Sequence, residues 1–275
     1  MMSTDLLAIE QAGKTFGSGR HARPAVVDMS LSFPSDGARL ITIAGESGCG
    51  KTTLALMALG FLKPTTGEVL YKGIALPDLN RADFRRFRHK VQAVLQNPFE
   101  TFNPFYGVSH PLHLALRQLG VAPRSREGKR LMEQALEKVR LDPGQVLERY
   151  PHQMSGGQLQ RVSIARAMLF SPELIVADEP VSMIDASLRV LVLRHLVDLK
   201  VRDGINILYI THDLSTALQI SDELLIAHRG RIVERGDPQE IVDNPQDDYT
   251  RLLVTSVPVP DPDQRWGQES VPTAS

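Results

Sequence analysis

The chain has 275 residues, 42% of them hydrophobic, with 31 basic and 32 acidic residues and a formal net charge of −1. That is enough apolar material for one large α/β domain or two closely joined lobes, and the balanced charge gives no global basic field for nucleic acid. The longest apolar run, Leu54 to Leu62, falls short of the roughly 18–20 residues that cross a bilayer, and a single cysteine excludes an internal disulfide framework or a cysteine-based metal cluster.

Asp5 to Glu10 reads as a first strand and Gly13 to Gly17 as a turn. Ala25 to Phe33 reads as a second strand, with Val27, Met29, Leu31 and Phe33 on one face. Arg39 to Ala44 is a short, β-branched apolar run of the kind that forms a buried strand, and Thr53 to Leu62 is helical in type. With Glu68 to Tyr71 as a further strand, the first third reads as a small, mostly antiparallel sheet wrapped around a strand–turn–helix unit. Arg81 to His89 is a basic helix or turn, and Val91 to Gln96 is the next strand. Residues 97–154 change character. Prolines at 98, 104, 111 and 123 mark a loop-rich segment. Ser125 to Leu141 then makes a helix with Leu131, Ala135, Leu136 and Val139 along one stripe, which reads as an inserted helical lobe. Ser155 to Phe170 is a second strong helix. Leu174 to Ala177 and Ile205 to Ile210 are buried strands separated by a Ser187 to Lys200 helix, an alternation that signals a parallel sheet. Leu224 to Ala227 and Arg231 to Glu234 form a late hairpin, and the proline-rich, polar stretch after Val257 is expected to be disordered.

The stretch Gly45-Glu46-Ser47-Gly48-Cys49-Gly50-Lys51-Thr52 fits the phosphate-loop pattern of glycine, four residues and Gly-Lys-Thr, between a strand and a helix opened by Thr53. Its glycines let successive amide N–H groups turn inward on an anion, and the helix start adds its dipole. Lys51 can then reach the β- and γ-phosphates of a nucleoside triphosphate, and the Thr52 hydroxyl can take one position on Mg²⁺. Any residue would serve at position 49. A thiol in such a turn can still be reactive, so alkylation of Cys49 is expected to block ATP and ATP to protect it. A second apolar strand ends in Asp178-Glu179. It can deliver Asp178 to the Mg²⁺ edge, with Glu179 one step on to accept a proton from an attacking water. Met154-Ser155-Gly156-Gly157-Gln158 opens the second strong helix. Ser155 is a natural N-cap, and two glycines there leave amides bare for close anion approach.

The order of these motifs resembles the ATP-binding-cassette (ABC) ATPase family, and the resemblance covers residues 5 to about 255. Met154 to Gln158 is similar to the family's signature sequence. The resemblance implies that Gln96 is the glutamine that touches Mg²⁺ and the attacking water. It implies too that Asp185, in Ser182-Met183-Ile184-Asp185, is the aspartate after the acidic strand. His212 would be the histidine that contacts the γ-phosphate. Phe16 stands where the family stacks an aromatic, more usually tyrosine, on adenine. The implied fold is an α/β P-loop NTPase with a mixed, largely parallel core sheet, an N-terminal antiparallel β-subdomain and an inserted helical subdomain. The cassette would span 5–255, with a nucleotide-binding lobe at 5–96 and 165–255, a helical signature lobe at 97–164, and a flexible tail at 256–275.

The resemblance further implies a head-to-tail dimer, with itself or a paralogue, that holds two ATP molecules. Each ATP would lie on one subunit's phosphate loop (Gly45 to Thr53) and under Ser155, Gly156, Gly157, Gln158 and Asp185 of the other. Catalysis would fall to Glu179, His212 and Gln96, and Mg²⁺ to Thr52, Gln96 and Asp178. Phe99, Phe102, Phe105 and Tyr106 crowd a proline-broken loop after Gln96. They suit either the core of the helical lobe or an anchor for another protein, and the family, whose membrane subunits dock there, favours the anchor. Gln96-Asn97-Pro98 and Tyr249-Thr250-Arg251-Leu252-Leu253 resemble the peptide/nickel importer ATPases. Peptide, metal chelate or another small solute would then be the cargo, with a solute-binding protein as an indirect partner. The opening Met-Met-Ser-Thr-Asp lacks the character of a signal segment, so the expected place is the cytoplasmic face of the inner membrane, held peripherally. The alternatives are a soluble ABC-type ATPase of an enzyme complex, such as phosphonate degradation, or a repair or translation ATPase. The last usually carries insertions that this chain lacks.

Overall fold

The computed structural model describes residues 5–256. In chain order, β1 (Leu7–Phe16) and β2 (Arg23–Phe33) precede β3 (Leu40–Ala44), which runs through the glycine-rich turn into α1 (Lys51–Ala58). β4 (Thr66–Tyr71), β5 (Ile74–Ala75), α2 (Arg81–Lys90) and β6 (Val91–Val94) follow. Five helices come next: α3 (Pro98–Thr101), α4 (Ser109–Gln118), α5 (Arg126–Lys138), α6 (Pro143–Val146) and α7 (Gly156–Met168). The chain then alternates β7 (Leu174–Asp178), α8 (Ala186–Asp203), β8 (Asn206–Thr211) and α9 (Leu214–Ile220). It closes with β9 (Glu223–His228), β10 (Arg231–Gly236), α10 (Pro238–Asp243) and α11 (Asp248–Thr255).

β2-β1-β4-β5 form a small antiparallel sheet, and β10-β9-β3-β8-β7-β6 a larger one that is parallel except for β10. The parallel strands are apolar on both faces, as strands covered on both sides must be. Alternate residues feed two cores. Ile175, Ala177, Ile207 and Tyr209 pack with the helical segment, while Val176, Leu208, Ile210, Ile41 and Ile43 pack with α1 and the antiparallel sheet. Because β3, β8, β7 and β6 run the same way in register (Ala44 beside Thr211, Asp178 beside Ile210, Val94 beside Ala177), their carboxyl ends share one edge. Such edges are where open α/β sheets bind ligands.

Several expectations need correction. Residues 13–16 continue β1 rather than turning, past a bulge at Gln11 (φ 47°) whose N–H donates to Ser30 Oγ at 2.8 Å. In β2 a second bulge at Asp28 (φ 56°) shifts the pleat. Val26 rather than Val27 therefore joins Met29, Leu31 and Phe33 in the core, and Val27 N–H donates to Gly230 O. The helix after the phosphate turn starts earlier and stops earlier than expected, at Ala58, where Gly60 turns left-handed (φ 67°). The segment around Pro111 is not loop: α4 begins at Ser109 and buries Leu112, Ala115 and Leu116. Its proline lies in the first turn, where an N–H has no helical partner. The boundary placed at 164/165 falls inside α7, which is continuous there. Residues 257–275, expected to be flexible, lie outside the described residues.

Candidate active site

The phosphate turn fills the start of the shared edge. Gly45 (φ 153°) and Gly50 (φ 102°) are demanded by close approach. A Cβ on the first would lie 2.1 Å from Ala227 O, and on the second 2.3 Å from Ala25 O. Phe16, half-exposed at the end of β1, faces Arg23 two residues from that Ala25, so its hairpin touches the loop. Lys51 is buried beneath the turn, and its Nζ donates to Gly45 O at 2.6 Å and Glu46 O at 2.7 Å. Cys49 is also buried, with Sγ 3.8 Å from that Nζ, so a reagent must open the turn to reach it.

At the end of β7, burial raises the Asp178 pKa and the neighbouring Glu179 charge adds to the rise; the Thr52 hydroxyl and Lys51 pull it down. Asp178 Oδ1 is buried with no hydrogen-bond partner. An orphaned carboxylate oxygen beside a threonine hydroxyl at a helix start is a fitting donor set for a hard divalent cation such as Mg²⁺. No group of three or more His, Cys, Asp or Glu placed to hold a metal ion occurs among the described residues, so a cation here would take further ligands of other kinds, such as a side-chain amide, phosphate or water.

Glu179 follows in the left-handed region (φ 46°), unusual for a non-glycine and costing roughly 1 kcal/mol or more. Its N–H donates to Ile210 O at 2.9 Å, which fixes the turn against β8. The carboxylate is gripped from two neighbouring strand ends. Gln96 Nε2 donates to Oε2 at 2.9 Å, and His212 Nδ1 lies 3.1 Å from Oε1. Thus residues 83 and 33 positions away meet at one carboxylate. Such a group, facing a γ-phosphate on the turn, can accept a proton from an aligned water.

The signature segment sits elsewhere on its helix. Ser155 caps α7 in a reciprocal box: its side chain accepts from Gln158 N at 3.2 Å and its N–H donates to Gln158 Oε1 at 3.0 Å. The glycines have an internal reason as well. A Cβ on Gly156 would lie 3.2 Å from Met183 O, and on Gly157 3.2 Å from Leu188 Cδ1, so α7 packs tightly on the start of α8. Asp185 stands at the N-cap of α8 but makes no capping bond with its side chain. Among the described residues, no hydrogen bond joins Ser155 to the phosphate turn, Gln96, Glu179 or His212. The aromatic cluster divides. Phe105, Phe99 and Tyr106 are 86%, 48% and 50% exposed, but Phe102 is 5% exposed and belongs to the helical core. Phe102 is therefore no projecting anchor; it floors a groove of about 350 Å³ with Phe61, Leu95, Pro111, Leu114 and Arg166. Sequence reasoning missed Tyr249 as a site residue: its hydroxyl accepts from Glu46 N–H in the phosphate turn at 3.0 Å. The only signal was that Tyr249 headed a recurrent motif.

A phosphate turn on α1, an acidic strand end and a glutamine and histidine from flanking strands define an ATP-hydrolysing cassette. The chain belongs to the ABC transporter family, whose model matches residues 27–182, more than half of its length. It is 36% identical over 249 residues to the dipeptide transport ATP-binding protein DppF of Haemophilus influenzae, covering 90% of this chain and 76% of that one. To the oligopeptide transport ATP-binding protein OppF of Escherichia coli it is 38% identical over 221 residues, covering 80% and 66%. Its fold matches the dimeric post-hydrolysis structure of the ATP-binding cassette MJ0796 bound to ADP and Pi, with a TM-score of 0.74, 25% identity, and 84% and 98% of the two chains covered.

Proposed function

We propose that this chain is the ATP-hydrolysing subunit of a membrane importer for peptides or a related small solute, metal chelates included. The observation that carries the hydrolytic half is the meeting of Gln96, Glu179 and His212 at the edge that also holds the phosphate turn. The transport half is supported by relatives named for dipeptide and oligopeptide transport. No helix among the described residues is long and apolar enough to cross a membrane; in this reading, motion made here passes to separate membrane subunits.

In this reading ATP lies on Gly45 to Thr53 with adenine against Phe16, and Lys51 leaves its carbonyl partners for the phosphates. Mg²⁺ would be held by Thr52, Asp178 and Gln96 and would supply positive charge against the phosphates. Glu179 takes the proton of the attacking water, and His212 and Gln96 orient its carboxylate and sense the γ-phosphate. Ser155, Gly156, Gly157, Gln158 and Asp185 act on the nucleotide of a facing cassette, the same chain or a paralogue. Closure with ATP and opening after hydrolysis form a ligand-biased two-state element. The helical segment from α3 to α7 is the moving lobe of the cassette at 5–255. The groove floored by Phe102 and the exposed Phe99, Phe105 and Tyr106 of the same segment receive the permease at the cytoplasmic membrane face.

A purified complex with permease and solute-binding protein, assayed for solute-stimulated ATP hydrolysis, tests the proposal. Stimulation by peptides supports it. A chain that remains free of detergent-extracted membrane proteins, with its native partners present, would point to a soluble enzyme complex instead.

A further inference from the structure

We propose that Tyr249 is a positioning residue for nucleotide binding: α11 holds the phosphate turn through the Tyr249 hydroxyl, so the grip on ATP depends on how that helix is seated. The inference rests on the turn being the ATP site, and it assigns to that site a C-terminal helix lying beyond residues 27–182.

Glu46 is the link. Its N–H donates to Tyr249 Oη at 3.0 Å across 203 positions of sequence, and its carbonyl accepts from Lys51 Nζ at 2.7 Å. One residue thus joins α11 to the lysine expected on the phosphates. The seat of Tyr249 is built from several directions. Gln246 N–H and Asp247 N–H donate to the two oxygens of Glu234 on β10, at 2.9 and 3.1 Å. The Asp247 side chain caps α11 by accepting from Tyr249 N–H at 2.9 Å, and Arg251 donates to Pro245 O at 3.1 Å and Gln246 O at 2.8 Å. The tyrosine ring stands edge-on to His228, with centroids 3.9 Å apart. Tyr249, Leu253 and Val254 pack on a cluster containing Ala44, the last residue of β3 before the turn. Both the strand beneath the turn and the amide of the turn's second residue are therefore braced by one helix. Burial raises the Tyr249 pKa from its ordinary value.

Tyr249→Phe keeps the ring and its packing and removes only the acceptor. In the full chain, the Kd for MgATP and the KM should rise about 2- to 10-fold, the worth of one net hydrogen bond, with kcat held within about twofold. By reciprocity, ATP should slow hydrogen exchange in the amides of 247–256 in the wild type and less in the variant. Glu234→Gln loosens the seat while leaving Tyr249 in place; it should weaken ATP binding in the same direction and combine with Tyr249→Phe less than additively. Unchanged ATP affinity in a folded Tyr249→Phe overturns the inference, as do strictly additive effects of the two changes. Lys51→Ala separates the two readings. If it binds ATP like wild type, the turn is not the site and both fall. If it loses ATP while Tyr249→Phe does not, only the tether falls.

Discussion

The strand-end edge and the signature segment solve opposite problems with similar residues. At the edge, side chains just past the ends of β6, β7 and β8 converge within one chain: Glu179 is satisfied by Gln96 and His212, and Lys51 by loop carbonyls. The signature segment is folded just as firmly, by the Ser155–Gln158 box and close helix packing, yet among the described residues Ser155 makes no hydrogen bond to that edge. The first region is a nearly complete site lacking a face. The second is a face with no site of its own. Pre-organised donors at a helix start suit an anion supplied by a neighbour, and the family's cassettes include a dimeric one bound to ADP and Pi.

The largest break in this comparison should come from the edge. Glu179→Gln preserves the shape gripped by Gln96 and His212 while removing the base. Turnover in a phosphate-release assay should fall at least ~100-fold, with MgATP affinity kept. Near-normal hydrolysis would move the base elsewhere. The signature face is probed by Ser155→Asp, since aspartate caps a helix as well as serine does but opposes a phosphate. Turnover should drop roughly tenfold or more, while the thermal midpoint stays put. A loss of stability in proportion to activity would reduce Ser155 to a helix cap.

A smaller effect separates core from anchor in the aromatic cluster. Phe102→Ala should destabilise the chain by ~3–5 kcal/mol in denaturant titration. Phe105→Ala should stay within about 0.5 kcal/mol of wild type while weakening recovery of the permease complex. Smallest is a pH effect at Asp178. Its pKa is raised on folding, so the native state holds the proton longer, and stability falls as pH climbs from the ordinary aspartate range through the raised value. Asp178→Asn should flatten that fall and lift the neutral-pH thermal midpoint by a few degrees, measured without nucleotide.

Much of the edge was legible because its residues follow apolar strands directly. Once β3, β7 and β8 are parallel, Gly45, Asp178-Glu179 and His212 must come together. Less legible was anything set by bulges or distant packing. Nothing local to Val26 and Val27 says which one the Asp28 bulge turns inward. Phe102 and Phe105 look alike in a proline-rich stretch until α4 closes over one of them. Tyr249 reaches Glu46 only because Glu234 on β10 starts α11 at the right place, a relation no short motif contains.

The division of one site between two cassettes is tested most directly by a cryo-EM map of the Glu179→Gln complex with MgATP and its permease. The account predicts Ser155 of one cassette within hydrogen-bond distance of the γ-phosphate held at Lys51 of the facing one. Bound ATP with Ser155 remote from every nucleotide would contradict it.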